Sequence, residues 1–271
     1  MAPPTVPVTA VLVTNDDGVA SPGLVALVRA VAGPSRRVVV AAPSSDQSGT
    51  SAAVAPRPAA GVPVGRVTLP GLHEPGFEGL VAFAVDGPPA LAVLGARLGG
   101  LGELAASATL VASGVNLGPN TGASVLFSGT VGAALAASNV GLSALAVSID
   151  SMAPRHLDSA TAVAAAALDW LVDAPVGTVL NVNVPDLPLA RIHGARHAPL
   201  APLGTVFAPV REPGPGPFTF HLRVTETAPP AGSDTALLRA GWVTITPLLG
   251  VRAGEDAGVA SFIERAVSSA A

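Results

Sequence analysis

VTAVLVTNDDGVASPGL, residues 8–24, changes character midway, and that change decides the fold. Residues 8–14 (VTAVLVT) are an apolar, β-branched run, the pattern of a strand buried on both faces. The run stops at Asn15-Asp16-Asp17-Gly18, a polar turn. Ser21 then supplies an N-cap and Pro22 the first helical position, which predicts a helix over 22–32. Residues 38–42 (VVVAA) form the next buried strand, closed by Pro43. Strand, loop, helix, strand is the order of a parallel α/β sheet.

The same order continues downstream. Strands are predicted at 81–85, 108–112, 143–149, 178–184 and 242–247. Helices are predicted at 88–98, opening on Pro88-Pro89, at 129–138 with Ser128 as cap, at 158–172 and at 256–268. A long Gly/Asn loop is expected over 113–124. Between 187 and 232 the composition shifts: PGPGP fills 213–217, and 218–227 (FTFHLRVTET) alternates as a strand does. These features predict a three-layer α/β/α, Rossmann-like, mostly parallel sheet with a protruding β-hairpin arm. The expected division is a catalytic core over 8–186, an oligomerisation arm over 187–232 and a C-terminal strand and helix over 233–271.

Composition excludes whole classes of chemistry. There is no Cys among the 271 residues, which removes disulfides, thiolate metal sites and Cys nucleophiles. All 14 basic residues are Arg, so a P-loop lysine and Schiff-base chemistry are absent. A net charge of −4 and a single basic cluster at Arg191, His193, Arg196 and His197 argue against a nucleic-acid polymer as partner. No apolar run reaches the ~18 residues of a membrane span, and Met1–Pro7 lacks the positive start of a secretory signal. A cytoplasmic protein without membrane contact is expected. Aromatics supply only 3% of the chain, so Ala, Val and Leu must build the core.

Three polar loops leave the carboxyl ends of predicted strands, at 15–18, 43–51 and 113–124, where open parallel sheets bind ligands. Adjacent carboxylates at Asp16 and Asp17 repel unless a positive group lies between them, and a hard divalent cation is a natural one. An Asp pair capping a helix fits the same letters. Ser44–Ser51, including Ser48 and Gly49, offers hydroxyls and backbone N–H groups for phosphate or metal, or makes a plain Ser-rich turn. In the third loop Asn116 offers a neutral oxygen, and its glycines allow close approach of a phosphate. Ser128-Gly129-Thr130 opens a helix whose N-terminus can face an anion.

VLVTNDDGVASPGL (11–24), APSSDQSGTS (42–51) and SGVNLGPNTG with FSGTVGAAL (113–122, 127–135) together resemble the successive motifs of the SurE family. Fainter similarity follows in LNVNVP (180–185) and GSDTALLRAGWVTITPL (232–248). The resemblance implies a metal-dependent phosphomonoesterase acting on nucleoside 5′- or 3′-monophosphates or a related small phosphate ester. It implies one divalent cation per subunit, Mg²⁺ or Mn²⁺, held by Asp16, Asp17, Ser48 and Asn116, with Asp16, Asp17 and Asn116 catalytic. Asn15, Gly49, Asn120, Ser128, Gly129 and Thr130 would line the phosphate site. It further implies a homodimer or tetramer with arm exchange. The chain departs from the family pattern at Gln47, at Ala52-Ala53 and at Gly87-Pro88-Pro89-Ala90-Leu91, which keeps a non-nucleotide phosphate ester open as substrate.

Rival readings are a dehalogenase-type phosphatase, a Ser–His–Asp hydrolase on Ser128, His156 and Asp150, and a non-catalytic nucleotide-binding protein. The first expects aspartates two residues apart, and here they are adjacent. The second lacks a G-x-S-x-G elbow. The third conflicts with the retained Asp16–Asp17–Ser48–Asn116 set.

Overall fold

The branched run at the start of the core forms strand β1 (Thr9–Thr14), whose residues from Ala10 onward are buried. A computed structural model describes residues 9–33, 36–54, 61–72, 77, 79–202, 206–209, 220–223, 228–253 and 259–268. Helix α1 (Pro22–Val31) follows from Ser21 with Pro at its first turn, then β2 (Arg36–Pro43), β3 (Val64–Arg66) and β4 (Val81–Val85). Next come α2 (Pro89–Arg97), α3 (Glu103–Ala106), β5 (Leu110–Leu117), α4 (Gly129–Asn139), β6 (Ser143–Ile149), α5 (Leu157–Val172) and β7 (Val179–Val184). The remainder is β8 (Ala195–His197), β9 (Val206–Pro209), β10 (Phe220–Arg223), α6 (Asp234–Arg239), β11 (Val243–Leu248) and α7 (Val259–Ser268).

Nine strands form one sheet in the order β3-β4-β2-β1-β5-β6-β7-β11-β8. The run from β4 through β7 is parallel, β3 and β11 join it antiparallel, and β8 pairs parallel to β11. Helices α1 and α5 cover one face through Leu24, Leu27, Val28, Leu168 and Leu171, packed on Val11, Val13, Leu145 and Val147. Helices α2 and α4 cover the other through Val93, Ala96, Val131, Ala134 and Ala137, packed on Leu12, Val39, Val111 and Ala144. Small side chains let α4 lie close to the sheet, which is how a core this poor in aromatics fills its volume. The α/β/α layering is the one read from the sequence.

The chain moves from β1 outward through β2 to β4, then returns to β5 and proceeds the other way through β6 and β7. That reversal lies between β1 and β5 and opens a crevice beyond their carboxyl ends, where ligands of such sheets bind. Thr14 pairs with Ser113 there, so the loops after β1 and β5 start side by side.

Two expectations need correction. Strand β5 does not end at 112 but continues to Leu117, through letters that read as loop. Its register against β6 shifts between Ser113 and Asn116, a bulge of the kind found beside active sites. A Cβ at position 114 would lie 2.2 Å from Val147 O, so only glycine lets β5 keep its place there. Residues Ala195–His197, expected within the arm, instead pair with β11 at the edge of the main sheet. Beyond them β9 and β10 form an antiparallel pair, Val206 opposite Arg223 and Pro209 opposite Phe220. The tip expected at 213–217 lies outside the described residues. Among the described residues no helix is long and apolar enough to cross a membrane.

Candidate functional site

Asp16 follows β1 by two residues and is 3% exposed. Its carboxylate meets the first turn of α4: Oδ2 accepts from Thr130 N at 3.0 Å, and Oδ1 accepts from the Thr130 hydroxyl. The positive end of α4 and these donors favour the ionised form. Burial outweighs them and raises the pKa, with the Thr130 hydroxyl and N–H acting against it. Gly129 makes the approach possible, since a Cβ there would lie 2.7 Å from both Asp16 Cβ and Oδ2. The anion at the start of α4 is therefore Asp16 itself. Thr130, expected to line the phosphate site, is fully buried, with its N–H and hydroxyl donating to Asp16 and the hydroxyl also within reach of Asn116 Oδ1. Ser128 caps α4 by accepting from Val131 N at 3.1 Å.

Asp17 lies beside it and is pushed up to about 7, first by burial and then by the charge of Asp16, with Asp46 adding to the effect. The backbone N–H of Leu117 works the other way. Asp17 Oδ2 is buried and has no hydrogen-bond partner. A buried carboxylate oxygen without a partner, beside a second carboxylate, is a donor set that a divalent cation would satisfy. Asn116, at the bulged end of β5, donates from Nδ2 to Gly118 O at 2.7 Å and holds Oδ1 3.5 Å from Thr130 Oγ1. Asp16, Thr130 and Asn116 thus converge.

The serine loop is tied to the same place. Gln47 N donates to Asp16 O at 2.7 Å, and Val19 N donates to Pro43 O at 2.8 Å. Ser48 donates its hydroxyl to Asp46 Oδ1 at 2.6 Å, which leaves the lone pairs of Oγ as acceptors. Gly49 forms the turn after it, in the left-handed region with φ 83°. Asn15 closes the aspartate turn, donating from Nδ2 to Gly18 O at 3.0 Å, and its buried Oδ1 has no partner.

Asn120 is held from below by residues that the sequence reading did not single out. Its N–H donates to Asn183 Oδ1 at 2.7 Å, and its carbonyl accepts from Asn181 Nδ2 at 2.8 Å and Asn183 Nδ2 at 2.9 Å. Its own Nδ2 donates to Ser148 Oγ at 2.9 Å. Two residues on, Gly122 N donates to the buried Asp234 carboxylate at 2.7 Å, which also accepts from Ala201 N at 2.9 Å. The available signal was the alternation of Asn with Val in TVLNVNV (178–184), where amides interrupt an apolar strand on one face only.

These residues fit a hard divalent cation. Among the described residues no three His, Cys, Asp or Glu gather, so a metal here would rest on two carboxylates and on neutral oxygens such as those of Asn116, Ser48 and water. Oxygen-only donors with few carboxylates suit Mg²⁺ or Mn²⁺ better than zinc. The His156 side chain makes no capping hydrogen bond to α5, and neither it nor Asp150 is hydrogen-bonded to Ser128, so these three residues form no nucleophilic triad.

Residues 11–204 match the family model described as survival protein SurE. The chain is 37% identical over 249 residues to the 5′-nucleotidase SurE of Nitratidesulfovibrio vulgaris strain Miyazaki F, covering 88% of this chain and 86% of that protein. It is 34% identical over 243 residues to the 5′/3′-nucleotidase SurE of Edwardsiella ictaluri, covering 88% and 89%. The crystal structure of the Sure protein from Aquifex aeolicus superposes with a TM-score of 0.73 at 26% identity, over 94% of this chain and 99% of that one.

Proposed function

This chain belongs to the SurE family, and from that premise we propose that it is a metal-dependent phosphomonoesterase that hydrolyses nucleoside 5′- or 3′-monophosphates. The observation that carries the proposal is the pairing of Asp16, fixed by Thr130 at the start of α4, with Asp17, whose buried Oδ2 lacks a partner.

Asp16, Asp17, Ser48 and Asn116 would hold one Mg²⁺ or Mn²⁺ per subunit. Held there, such an ion would supply charge neutralisation and polarisation of a phosphoryl oxygen. Phosphoryl transfer demands mainly positioning and charge stabilisation, and this chain's loops are built for both. The Asn120 loop, with its backbone pinned by Asn181 and Asn183, presents a fixed wall to the phosphate. Gly49, Ser128 and Gly129 frame the other sides, and Asn15 keeps the aspartate turn closed. Both oxygens of Asp16 accept from Thr130, which orients the carboxylate and draws off its negative charge. A carboxylate so engaged suits a ligand rather than a nucleophile, so water attacks phosphorus. The new P–O bond forms to water, the ester P–O bond breaks, and the leaving oxygen takes up a proton, giving alcohol and inorganic phosphate.

A homo-oligomer belongs to the same proposal. Trp170 of α5, 59% exposed, lines an apolar groove of about 480 Å³ with Val163, Val182, Val243 and Ile245. A second copy would cover it, and light scattering would report the mass.

The test of the function is phosphate release from AMP and from p-nitrophenyl phosphate after EDTA treatment. Turnover restored by Mg²⁺ or Mn²⁺ is expected. No turnover with either metal would favour a non-catalytic nucleotide-binding protein on this fold.

A further inference from the structure

Asp46 has no part in the mechanism above, yet it stands against the aspartate turn. Gln47 N donates to Asp16 O at 2.7 Å. A Cβ at Gly18 would lie 3.2 Å from Ser45 C and 3.5 Å from Asp46 N. The serine loop is therefore seated on residues 16–18 at two points, with Asp46 between them. The negative charge of Asp46 reaches the Asp17 carboxyl. No basic residue lies between Pro43 and Val54, and among the described residues Asp46 forms no ion pair.

One oxygen of Asp46 serves Ser48 twice. Oδ1 accepts from Ser48 N at 2.8 Å and from the Ser48 hydroxyl at 2.6 Å. The first bond, from an N–H two residues on, is the ordinary bond of an Asp that shapes a turn. The second adds something the turn does not need. A serine hydroxyl carries one hydrogen and two lone pairs, and it rotates to suit its surroundings. A charged acceptor pins that hydrogen in a short, strong bond and turns the lone pairs of Oγ away from Asp46. It also leaves more negative charge on Oγ, which suits a hard cation. Asp46 and Ser48 are both exposed, so the bond contributes little to stability. The loop is braced further along, where Thr50 Oγ1 donates to Gln47 O at 2.7 Å and the Ser51 hydroxyl donates to Leu126 O at 2.7 Å. A bond of small stabilising value, on a braced loop seated against the aspartates, is useful for aiming Oγ.

We infer that Asp46 is a positioning residue: by holding the hydroxyl hydrogen of Ser48 it directs the Oγ lone pairs to the divalent cation shared with Asp16, Asp17 and Asn116. The inference rests on the function proposed above, in which Ser48 is one of the ligands. Asp46 acts through Ser48 and does not touch the ion. An amide in its place keeps an acceptor oxygen while losing the charge, and so preserves the role.

The experiment measures Mn²⁺ binding by electron paramagnetic resonance, without turnover. It compares wild type with Asp46→Ala, Asp46→Asn, Ser48→Ala and the double variant Asp46→Ala/Ser48→Ala. The Kd for Mn²⁺ is expected to rise about tenfold in Asp46→Ala and to stay within about threefold of wild type in Asp46→Asn. In the Ser48→Ala background, removing Asp46 is expected to change Kd by less than about twofold, because the group it acts through is gone. At saturating Mn²⁺, p-nitrophenyl phosphate turnover by Asp46→Ala is expected to return to within about threefold of wild type. An Asp46→Ala Kd within about threefold of wild type would overturn the inference. Equal losses in Asp46→Ala and Asp46→Asn would overturn it too, by assigning the effect to charge alone, as would additive losses in the double variant. Each of these leaves the phosphatase reading intact where the wild type still hydrolyses AMP with Mn²⁺. The expected pattern of Kd values with no phosphate release from any ester would sink the proposed function and spare this inference. A wild type that binds no Mn²⁺ would overturn both.

Discussion

Gly129→Ala places one methyl group where the structure has no room for it. The added Cβ would sit 2.7 Å from Asp16 Cβ and Oδ2 and 3.1 Å from Cγ, so either the carboxylate or the first turn of α4 must shift. Overpacking of this kind costs about 1–3 kcal/mol. Alanine's better helix propensity returns at most ~1 kcal/mol, leaving a net loss on the order of 1 kcal/mol. The functional loss should be larger. Any shift lengthens the 3.0 Å bond from Thr130 N to Asp16 Oδ2 and the hydroxyl bond to Oδ1. Misplacing a positioned group by ~1 Å can cost on the order of 100-fold in rate. The expected result is therefore a folded protein with a slightly lowered Tm, kcat/KM down about 100-fold and weakened Mn²⁺ binding. Gly95→Ala is the matched control, because the Cβ site there is open and α2 lies outside the crevice. Thermal melts and p-nitrophenyl phosphate hydrolysis across a Mn²⁺ titration read both. If Gly129→Ala kept kcat/KM and Mn²⁺ affinity within about threefold of wild type, seating Asp16 against α4 would not be what orders the site.

Two further outcomes follow from the same contacts. Because burial and Asp16 push the Asp17 carboxyl up to about 7, the metal-free fold holds a proton that the unfolded chain releases near pH 4. That contribution to stability is complete below about pH 4 and is lost as pH rises toward about 7. In EDTA the Tm should fall between about pH 4 and about pH 7, Asp17→Asn should flatten that slope, and Mn²⁺ should bind more tightly as pH rises through the same interval. A slope identical in wild type and Asp17→Asn would contradict this. Asn183→Ala removes the acceptor of Asn120 N and one of the two donors to Asn120 O, leaving half-buried backbone groups partly unsatisfied. Stability should drop by about 2 kcal/mol, read by urea unfolding, and activity by at least about tenfold, although Asn183 touches no substrate; unchanged activity would make the anchor dispensable.

The fold was legible wherever burial governed the letters. Thr9–Thr14, Val81–Val85 and Ser143–Ile149 are apolar runs between turn residues, and Pro22, Pro89 and Ser128 mark helix starts by conformational restriction or capping. It was illegible where tertiary contact overrode local preference. Ser113-Gly114-Val115-Asn116 reads as a loop yet continues β5, because the neighbouring β6 supplies hydrogen-bond partners that the segment does not advertise. Ala195–His197 is a strand only because β11 lies beside it. Of the site, the acidic turn and the polar loops could be found from residue type and position at strand ends. That Thr130 serves Asp16, and that Asn181 and Asn183 carry the Asn120 loop, depends on pairs more than sixty residues apart, which no local pattern encodes.

The central claim is that the two aspartates after β1 share one divalent cation with the asparagine at the end of β5. A crystal grown with Mn²⁺ and measured at the manganese absorption edge examines this directly. One anomalous peak per subunit is expected, in contact with side-chain oxygens of Asp16, Asp17 and Asn116, and absent from Asp16→Asn crystals. A peak elsewhere, or active wild-type protein with none between these residues, would contradict it.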